Sequence, residues 1–367
     1  MTGHSELSPS SAHRWLTCHA SVALSRGVVE QESAAAQEGT LAHALLEHRL
    51  LHGDVPEGAY TDEMVEGSEV VLSYLGTREE EFEIWPETKV SFGSLLPDGT
   101  FGTSDVILWY PESRTLEVID YKFGRGVVVD PEENEQMTLY AIGALVTQKL
   151  PAPKAVVLTI IQPRAYHEKG PVRSWVTDMR YLVEFGTRVR EAVPQIYGND
   201  PQYNPSEEAC RFCPGAFKCP ALKKLAVERA MAEFEPIADD GELKDLADSL
   251  DVSRLLRVWQ TAVEDHALRL ALSGQTIPGY KLVEGQSRRK WIDENKVIEF
   301  FRSKKIPAKI FMPPSLIGIP AAEKVLKKRK VDPSVLKDYV VKPEGKKKLA
   351  PVSDSRASAD ADFDSLD

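Results

Sequence analysis

The period of the apolar and polar positions changes along this chain of 367 residues. Apolar residues first recur every three or four positions, which predicts amphipathic helices. A region rich in alternating and β-branched residues follows, interrupted by turn residues, which predicts an antiparallel meander of three strands. The predicted order is two helices, three strands, a helix and a strand, at residues 34–51, 61–75, 87–96, 100–110, 115–123, 131–148 and 155–162. A short helix around Trp15 precedes them.

Beyond residue 172 the pattern becomes mostly helical. The predicted elements are strands at 173–177 and 280–283 and helices at 179–193, 221–234 and 253–272. We predict a first domain over residues 1–235, a helical region over 236–348, and a disordered acidic tail over 349–367.

Composition and charge narrow the class of protein. The hydrophobic fraction of 42% and the charged fraction of 28% are those of a globular chain, and no apolar run is long enough to span a membrane. The first residues lack the pattern of a secretion signal, so we expect a cytoplasmic protein. Residues 1–286 hold 26 basic and 44 acidic residues, whereas 287–348 hold 18 and 7. The basic segment indicates either a polyanionic partner or solvated lysine-rich helices.

An acid and an amine stand two residues apart in the third predicted strand, at Asp120 and Lys122. Side chains with this spacing share a face of a strand. The adjacent strand places Asp105 where it can lie beside Asp120. Asp120 and Lys122 are ordinary surface residues if they face solvent on a half-exposed strand. If the two carboxylates lie together, their oxygens suit Mg²⁺ or Mn²⁺, which can activate water for phosphodiester hydrolysis.

Three of the four cysteines lie within ten residues, as Cys210-x₂-Cys213-x₅-Cys219, and Cys18 is far upstream. This spacing indicates a metal centre with Cys18 as the fourth ligand, rather than four unrelated thiols. Four thiolates suit Zn²⁺ and a [4Fe-4S] cluster equally.

The ordered set Gly102-x-x-Asp105, Asp120-x-Lys122 and Gln136-x-x-x-Tyr140, after a helix with a histidine, resembles the PD-(D/E)XK nuclease superfamily in its RecB-type branch. The resemblance implies an α/β fold with a restriction-endonuclease-like core and helical additions. It implies Mg²⁺ or Mn²⁺ ligands at His43, Asp105 and Asp120, a catalytic lysine at Lys122, further active-site residues at Gln136 and Tyr140, and an additional acid at Glu87.

Each residue alone has an ordinary structural explanation. His43 has a rival in His48, and a tyrosine on a helix is commonly a packing residue. Gly124-Arg125-Gly126 can bring backbone near a phosphate or simply form an exit turn. Only the ordered set favours a catalytic site.

The cysteine pattern resembles the iron-sulfur staple of RecB-type nucleases in the AddB helicase-nuclease subunit and in CRISPR adaptation. It implies a structural [4Fe-4S] cluster, with Zn²⁺ as the alternative. Arg14-Trp15-Leu16-x-Cys18 and Ile161-Gln162-Pro163-Arg164 are similar to a phage and prophage group associated with recombination.

The expected function is therefore that of a Mg²⁺- or Mn²⁺-dependent deoxyribonuclease, an exonuclease acting in phage recombination, replication or repair. DNA is the expected partner. The chain has no Walker phosphate loop, so a helicase would be a separate protein. A single-strand-binding or annealing protein is a further expected partner. Residues 287–348 either grip DNA, with Trp291, Phe300, Phe301 and Phe311 stacking on bases, or form a packed appendage. The alternatives are a non-catalytic iron-sulfur DNA-binding or assembly module, and a zinc protein with structural acids.

Overall fold

The computed structural model describes residues 5–28, 33–125, 127–232, 243–285, 289–312, 316–341, 343 and 347–351. The chain divides into two compact units, Met1–Ala262 and Val263–Asp367. The domain boundaries drawn from the sequence stay predictions. Gly126, and the acidic tail from residue 352 onward, lie outside the described residues.

The first unit holds a five-stranded sheet with helices before, within and after it. Its helices and strands are α1 (Ala12–Thr17), α2 (Ala20–Ser25), α3 (Ala34–His52), α4 (Asp62–Gly76), β1 (Glu83–Ser91), β2 (Phe101–Tyr110), β3 (Thr115–Tyr121), α5 (Glu135–Thr147), β4 (Ala155–Ile161), β5 (Val172–Thr177), α6 (Met179–Ile196), α7 (Glu207–Arg211), α8 (Pro220–Ala232) and the start of α9 (Leu243–Leu272).

The strand order in the sheet is β1-β2-β3-β4-β5. The first three strands pair antiparallel, as the meander predicted, and β3 pairs parallel with β4. Parallel neighbours need a crossover, and α5 supplies it. The prediction of an α/β, restriction-endonuclease-like core with helical additions is confirmed by this arrangement.

Both faces of the sheet are covered. Alternate residues of the central strands point to opposite sides, so Ile107 and Val118 pack with the α5 and α6 side while Leu108 and Ile119 pack with α3 and α4. The sheet is therefore the middle layer of three. Polar side chains along its interior need hydrogen bonds or a bound ion.

Three elements begin well away from where the sequence predicts, one of them helix α9, which starts at Leu243 rather than at 253. Strand β1 starts at Glu83 and runs through Pro86, because it is an edge strand that can tolerate a missing N–H group. It ends at Ser91, and a turn of 3₁₀-helix follows over Gly93–Leu95. Helix α5 starts at Glu135 rather than near 131, since the side chain of Asn134 caps it by accepting from the N–H of Met137.

The second unit is a small helical module with short strands. Besides the end of α9, its elements are β6 (Tyr280–Glu284), β7 (Lys290–Trp291), α10 (Glu294–Ser303), α11 (Ala308–Phe311), α12 (Ile319–Lys328), a 3₁₀-helix (Pro333–Tyr339), β8 (Val340–Val341) and β9 (Lys347–Pro351). Strand β6 pairs with β9, and β7 pairs with β8.

The aromatic residues of this unit correct one expectation. Phe301 and Phe311 are fully buried and stack on each other at 5.1 Å between ring centroids. Phe300 and Trp291 pack partly buried against the same core. Phe301 and Phe311 therefore hold the module together and have no surface on which a base can stack. Among the described residues, no helix is long and apolar enough to cross a membrane.

Candidate active site and cysteine cluster

The two aspartates meet where the ladder between β2 and β3 stops. Val106 pairs with Ile119, so the next positions along the two strands are Asp105 and Asp120. Here the backbone N–H of Tyr121 donates to Oδ2 of Asp105 at 2.6 Å. Both aspartates are buried. The strands thus place two carboxylates side by side below the surface, as the sequence predicts.

His43 and Glu87 complete one side of this group. Nδ1 of His43, on α3, lies 3.2 Å from Oδ1 of Asp105 and 3.6 Å from Oε1 of Glu87. One ligand atom from each of these three residues lies within 4.8 Å of the others, which is the spacing of a possible metal site. Asp120 lies outside that set of three.

Glu87 has an unusual backbone for its position. The pairs Pro86 with Val106 and Thr88 with Ser104 place Glu87 opposite Asp105, yet Glu87 does not join the ladder. Its φ of 40° lies in the left-handed region, which is costly for a residue with a side chain. Strand β1 therefore departs from regular β geometry at Glu87, whose carboxylate lies in the cluster.

Lys122, Gln136 and Tyr140 surround Asp120 on the other side. Nζ of Lys122 lies 2.9 Å from Oδ2 of Asp120. The Gln136 amide donates to Oδ1 of Asp120 at 3.1 Å and contacts the Tyr140 hydroxyl at 3.3 Å. Lys122 also donates to the amide oxygen of Gln136 at 3.4 Å. The seven predicted residues therefore form two adjoining groups around the aspartate pair.

Gly102 is required by close packing beside this site. A Cβ at Gly102 would lie 2.6 Å from Cγ of Pro9 and 2.8 Å from Cε1 of Tyr140. The absence of a side chain lets the N-terminal turn and the Tyr140 ring both rest on β2. The sequence indicated Gly102 through the motif, but no local pattern linked it to Pro9, so the sequence did not predict this contact.

The loop after β3 is fastened by Gln162, which follows β4. Its amide group donates to the carbonyl oxygens of Gly124 and Val127 and accepts from the N–H of Val129. This loop carries Lys122 into the site, so Gln162 helps to fix its path. The sequence pointed to Gln162 only by resemblance, because a single glutamine after a strand has no distinctive spacing.

The rival histidine is excluded from the site by its contacts. Nε2 of His48 pairs with Asp54 at 3.0 Å, and its ring packs on His52. His48 therefore belongs to the outer end of α3, and His43 is the histidine that reaches the acids.

The charges within the site are strongly coupled. Burial raises the pKa of Asp120, and although Lys122 opposes this effect, the charge of Asp105 adds to it. Burial would also raise the pKa of Asp105, but the charge and hydrogen bond of His43, the charge of Lys122 and the N–H of Tyr121 together outweigh burial and lower it. Burial alone would lower the pKa of His43, yet Asp105 and Glu87 raise it to about 10. Without a bound metal, a protonated imidazole thus balances the acids.

The donor set fits a hard divalent cation. Oε1 of Glu87 is buried and accepts no hydrogen bond, with Nδ1 of His43 3.6 Å away, whereas the buried Oδ2 of Asp120 faces the Lys122 ammonium at 2.9 Å. A buried carboxylate oxygen without a donor, such as Oε1 of Glu87, is costly unless an ion neutralises it. A set of three carboxylates and one imidazole binds Mg²⁺ or Mn²⁺ in preference to soft metal ions. The buried cluster can therefore hold a divalent metal ion.

The four cysteines line one small cavity formed by the N-terminal helices and the segment around α7. Three features hold these segments together. The N–H of Ala20 donates to Gln202 O at 3.0 Å, the Arg14 guanidinium donates to Phe212 O, and Gly215 packs so closely on Leu24 that a Cβ would lie 2.5 Å from its carbonyl oxygen.

The spacing of the four sulfurs differs from that of a single tetrahedral ion. All four cysteines lie in the described residues, and no three of their sulfurs lie within 4.8 Å of one another. Zinc holds each sulfur at about 2.3 Å, which places sulfurs roughly 3.8 Å apart in a tetrahedron. Burial raises the pKa of the Cys210 thiol to about 12, and the charges of the other cysteines add to this. Burial also raises the pKa of the Cys213 and Cys219 thiols, so these three thiols stay protonated at neutral pH without a metal.

Comparison with known families assigns the chain. Residues 4–357 match the family described as "Protein of unknown function (DUF2800)". The chain belongs to this family. Among solved structures, an alkaline exonuclease from Laribacter hongkongensis is similar at 12% identity and a TM-score of 0.25, covering 50% of this chain and 90% of that one. The complex of this exonuclease, LHK-Exo, with dAMP is similar at 15% identity and a TM-score of 0.24, covering 51% of this chain and 90% of that one. At these scores neither protein's activity transfers to this chain.

Proposed function

We propose that this member of the DUF2800 family is a Mg²⁺- or Mn²⁺-dependent deoxyribonuclease of the RecB-type PD-(D/E)XK kind. The observation that carries the proposal is the meeting of Asp105, Asp120 and Lys122 at the end of the β2–β3 ladder, with His43 and Glu87 beside them. Burial of two acids with a lysine at 2.9 Å costs desolvation free energy, and such groups cluster at functional sites.

In this proposal Asp105, Asp120, His43 and Glu87 hold the divalent ion. When bound, the ion polarises the phosphate and lowers the pKa of the attacking water. Burial would lower the pKa of Lys122, but the charges of Asp120 and Asp105 raise it, so the side chain stays an ammonium. The Lys122 ammonium supplies positive charge where negative charge develops on the phosphate. Gln136 bonds both Asp120 and Lys122, so it positions the pair.

The finer assignment is an exonuclease acting in phage recombination, replication or repair. It rests on the ordered motifs and on the segments Arg14-Trp15-Leu16-x-Cys18 and Ile161-Gln162-Pro163-Arg164. Both segments also make structural contacts. Arg14 donates a hydrogen bond to the carbonyl oxygen of Phe212, between Cys210 and Cys213, and Gln162 donates to the carbonyl oxygen of Gly124 in the loop after Lys122.

For the cysteines we propose a structural [4Fe-4S] cluster. A cluster is larger than one ion, so its four thiolates stand farther apart than around zinc. The cavity that all four cysteines line supports a shared metal centre, and the resemblance of the cysteine pattern favours the cluster over Zn²⁺. In this role the metal centre joins α1 and α2 to the segment that follows α6.

The function is tested with purified, anaerobically prepared protein on linear and closed-circular DNA of the same sequence. We expect linear DNA to be degraded with Mg²⁺ or Mn²⁺, closed-circular DNA to persist, and neither to change in chelator. Cleavage of both forms at equal rates would contradict exonuclease action. Absence of cleavage with every divalent ion, in protein that binds Mn²⁺ stoichiometrically, would contradict the nuclease itself.

A further inference from the structure

On the outward face of α12, positively charged side chains outnumber negatively charged ones. Ala322 and Leu326 of this helix are buried in the core of the second unit. Lys324 and Lys328 stand one helical turn apart on the exposed side, and Lys327 lies three residues from Lys324. These three lysines are called the α12 basic face below.

Acidic residues balance only part of the charge of this face. The one acid in the sequence of α12, Glu323, pairs with Arg289 at 2.6 Å, and the charge of Lys327 also lowers the pKa of Glu323. Within the described part of the chain, no carboxylate lies within 4.0 Å of the amines of Lys324, Lys327 or Lys328. The surrounding sequence has the same bias, because residues 302–330 hold nine Lys or Arg and one acidic residue.

Helix stability does not explain the face. Like charges spaced three and four residues apart destabilise a helix. The partial negative charge at a helix C-terminus favours cations, but this effect is confined to the last turn. Lys324 precedes the last turn of α12. Lys324 therefore gains nothing from the helix terminus, and its repulsion with Lys327 and Lys328 weakens the helix, which is the pattern of a surface kept for a ligand.

We propose that the α12 basic face binds the phosphate backbone of DNA, as a contact separate from the cleavage site. Lysines bind phosphates as point charges and release counterions when they do so. A membrane surface fits less well, since the apolar residues Ala322 and Leu326 face the core and leave no apolar side to enter lipid. The choice of DNA among polyanions rests on the proposed function.

The test compares two double variants by fluorescence anisotropy on a labelled duplex of about 30 base pairs. Lys324→Gln with Lys328→Gln removes two charges from the α12 basic face. Lys149→Gln with Lys154→Gln removes two from exposed lysines of the first unit, near the start of β4 and so at the opposite end of the sheet from Asp120. Binding is measured over a salt series without divalent ion, so that no cleavage occurs.

We expect the α12 variant to bind at least tenfold more weakly at low salt, with a slope of log K against log salt that is smaller by about 1.8, which is two phosphate contacts. The Lys149 and Lys154 variant should keep the wild-type slope. Removing like-charge neighbours favours the helix, so a far-ultraviolet circular dichroism spectrum and melting temperature like those of wild type should accompany the loss.

Equal slopes for all three proteins would overturn the proposal, as would equal losses in the two variants. Wild-type binding to phosphatidylglycerol vesicles, with no binding to duplex DNA, would also overturn it. Cleavage is scored separately, so a wild-type protein that binds DNA through this face but cleaves nothing would refute the nuclease and leave the face intact.

Discussion

Lys122→Gln is expected to lower kcat for linear DNA by about 10²- to 10⁴-fold, the usual effect of removing a group that stabilises charge or moves a proton in the reaction. The same variant should bind Mn²⁺ at least as tightly as wild type. Nζ of Lys122 lies 2.9 Å from Oδ2 of Asp120, so its positive charge competes with a metal for that carboxylate. Single-turnover kinetics and calorimetric Mn²⁺ titration give the two quantities.

Asp120→Asn is the companion variant and should lose both properties, because it removes a proposed ligand. Lys154→Gln and Asp98→Asn, at exposed positions, serve as matched controls and should keep kcat and Mn²⁺ affinity. If Lys122→Gln lost metal binding together with activity, Lys122 would be holding the site in shape rather than acting on the phosphate. If it kept most of its activity, the assignment of Lys122 would be wrong.

Cys18→Ala should yield protein with almost no iron and much less of it in the soluble fraction. A link between Cys18 and Cys210 closes a loop of about 190 residues, and a covalent link across such a loop would stabilise a fold by about 5 kcal/mol. That is comparable with the whole stability of many domains. Iron content, visible absorption and yield from parallel anaerobic preparations measure the effect.

Ser21→Ala is a close control for this variant. Ser21 is buried and lines the same cavity as the cysteines, yet its hydroxyl has no hydrogen-bond partner. It should keep the iron content and yield of wild type. Full iron loading in Cys18→Ala would remove Cys18 from the ligand set. Stoichiometric zinc with no iron in anaerobic wild-type protein would replace the cluster by a zinc site.

Periodicity and turn chemistry carried most of the fold. The three-stranded meander is determined by local signals, among them the turn at Gly99, where φ is 84°. The parallel pairing of β3 with β4 was not predicted, although the intervening helix α5 supplies the crossover that it needs. The start of β1 was misplaced because Pro86 is compatible with a strand only at a sheet edge, and edge position is a property of the whole sheet.

The sequence predicts the part of the site that depends on the spacing of residues along the strands. Asp120 and Lys122 share a strand face, and an antiparallel neighbour brings Asp105 beside them. The left-handed backbone of Glu87 and the contact between Pro9 and Gly102 come from tertiary packing, which no local pattern encodes. The stacking proposed for Phe301 and Phe311 failed for the same reason, since an apolar core and an aromatic surface have similar sequence patterns.

We propose that Asp105 and Asp120 together bind a divalent cation, with His43 and Glu87 beside them. Crystals soaked in Mn²⁺ and measured near the manganese absorption edge locate such an ion. We expect one anomalous peak roughly 2.0–2.3 Å from carboxylate oxygens of both aspartates. A structure without a peak there at saturating Mn²⁺, or with the ion bound only at acids elsewhere on the chain, would contradict it.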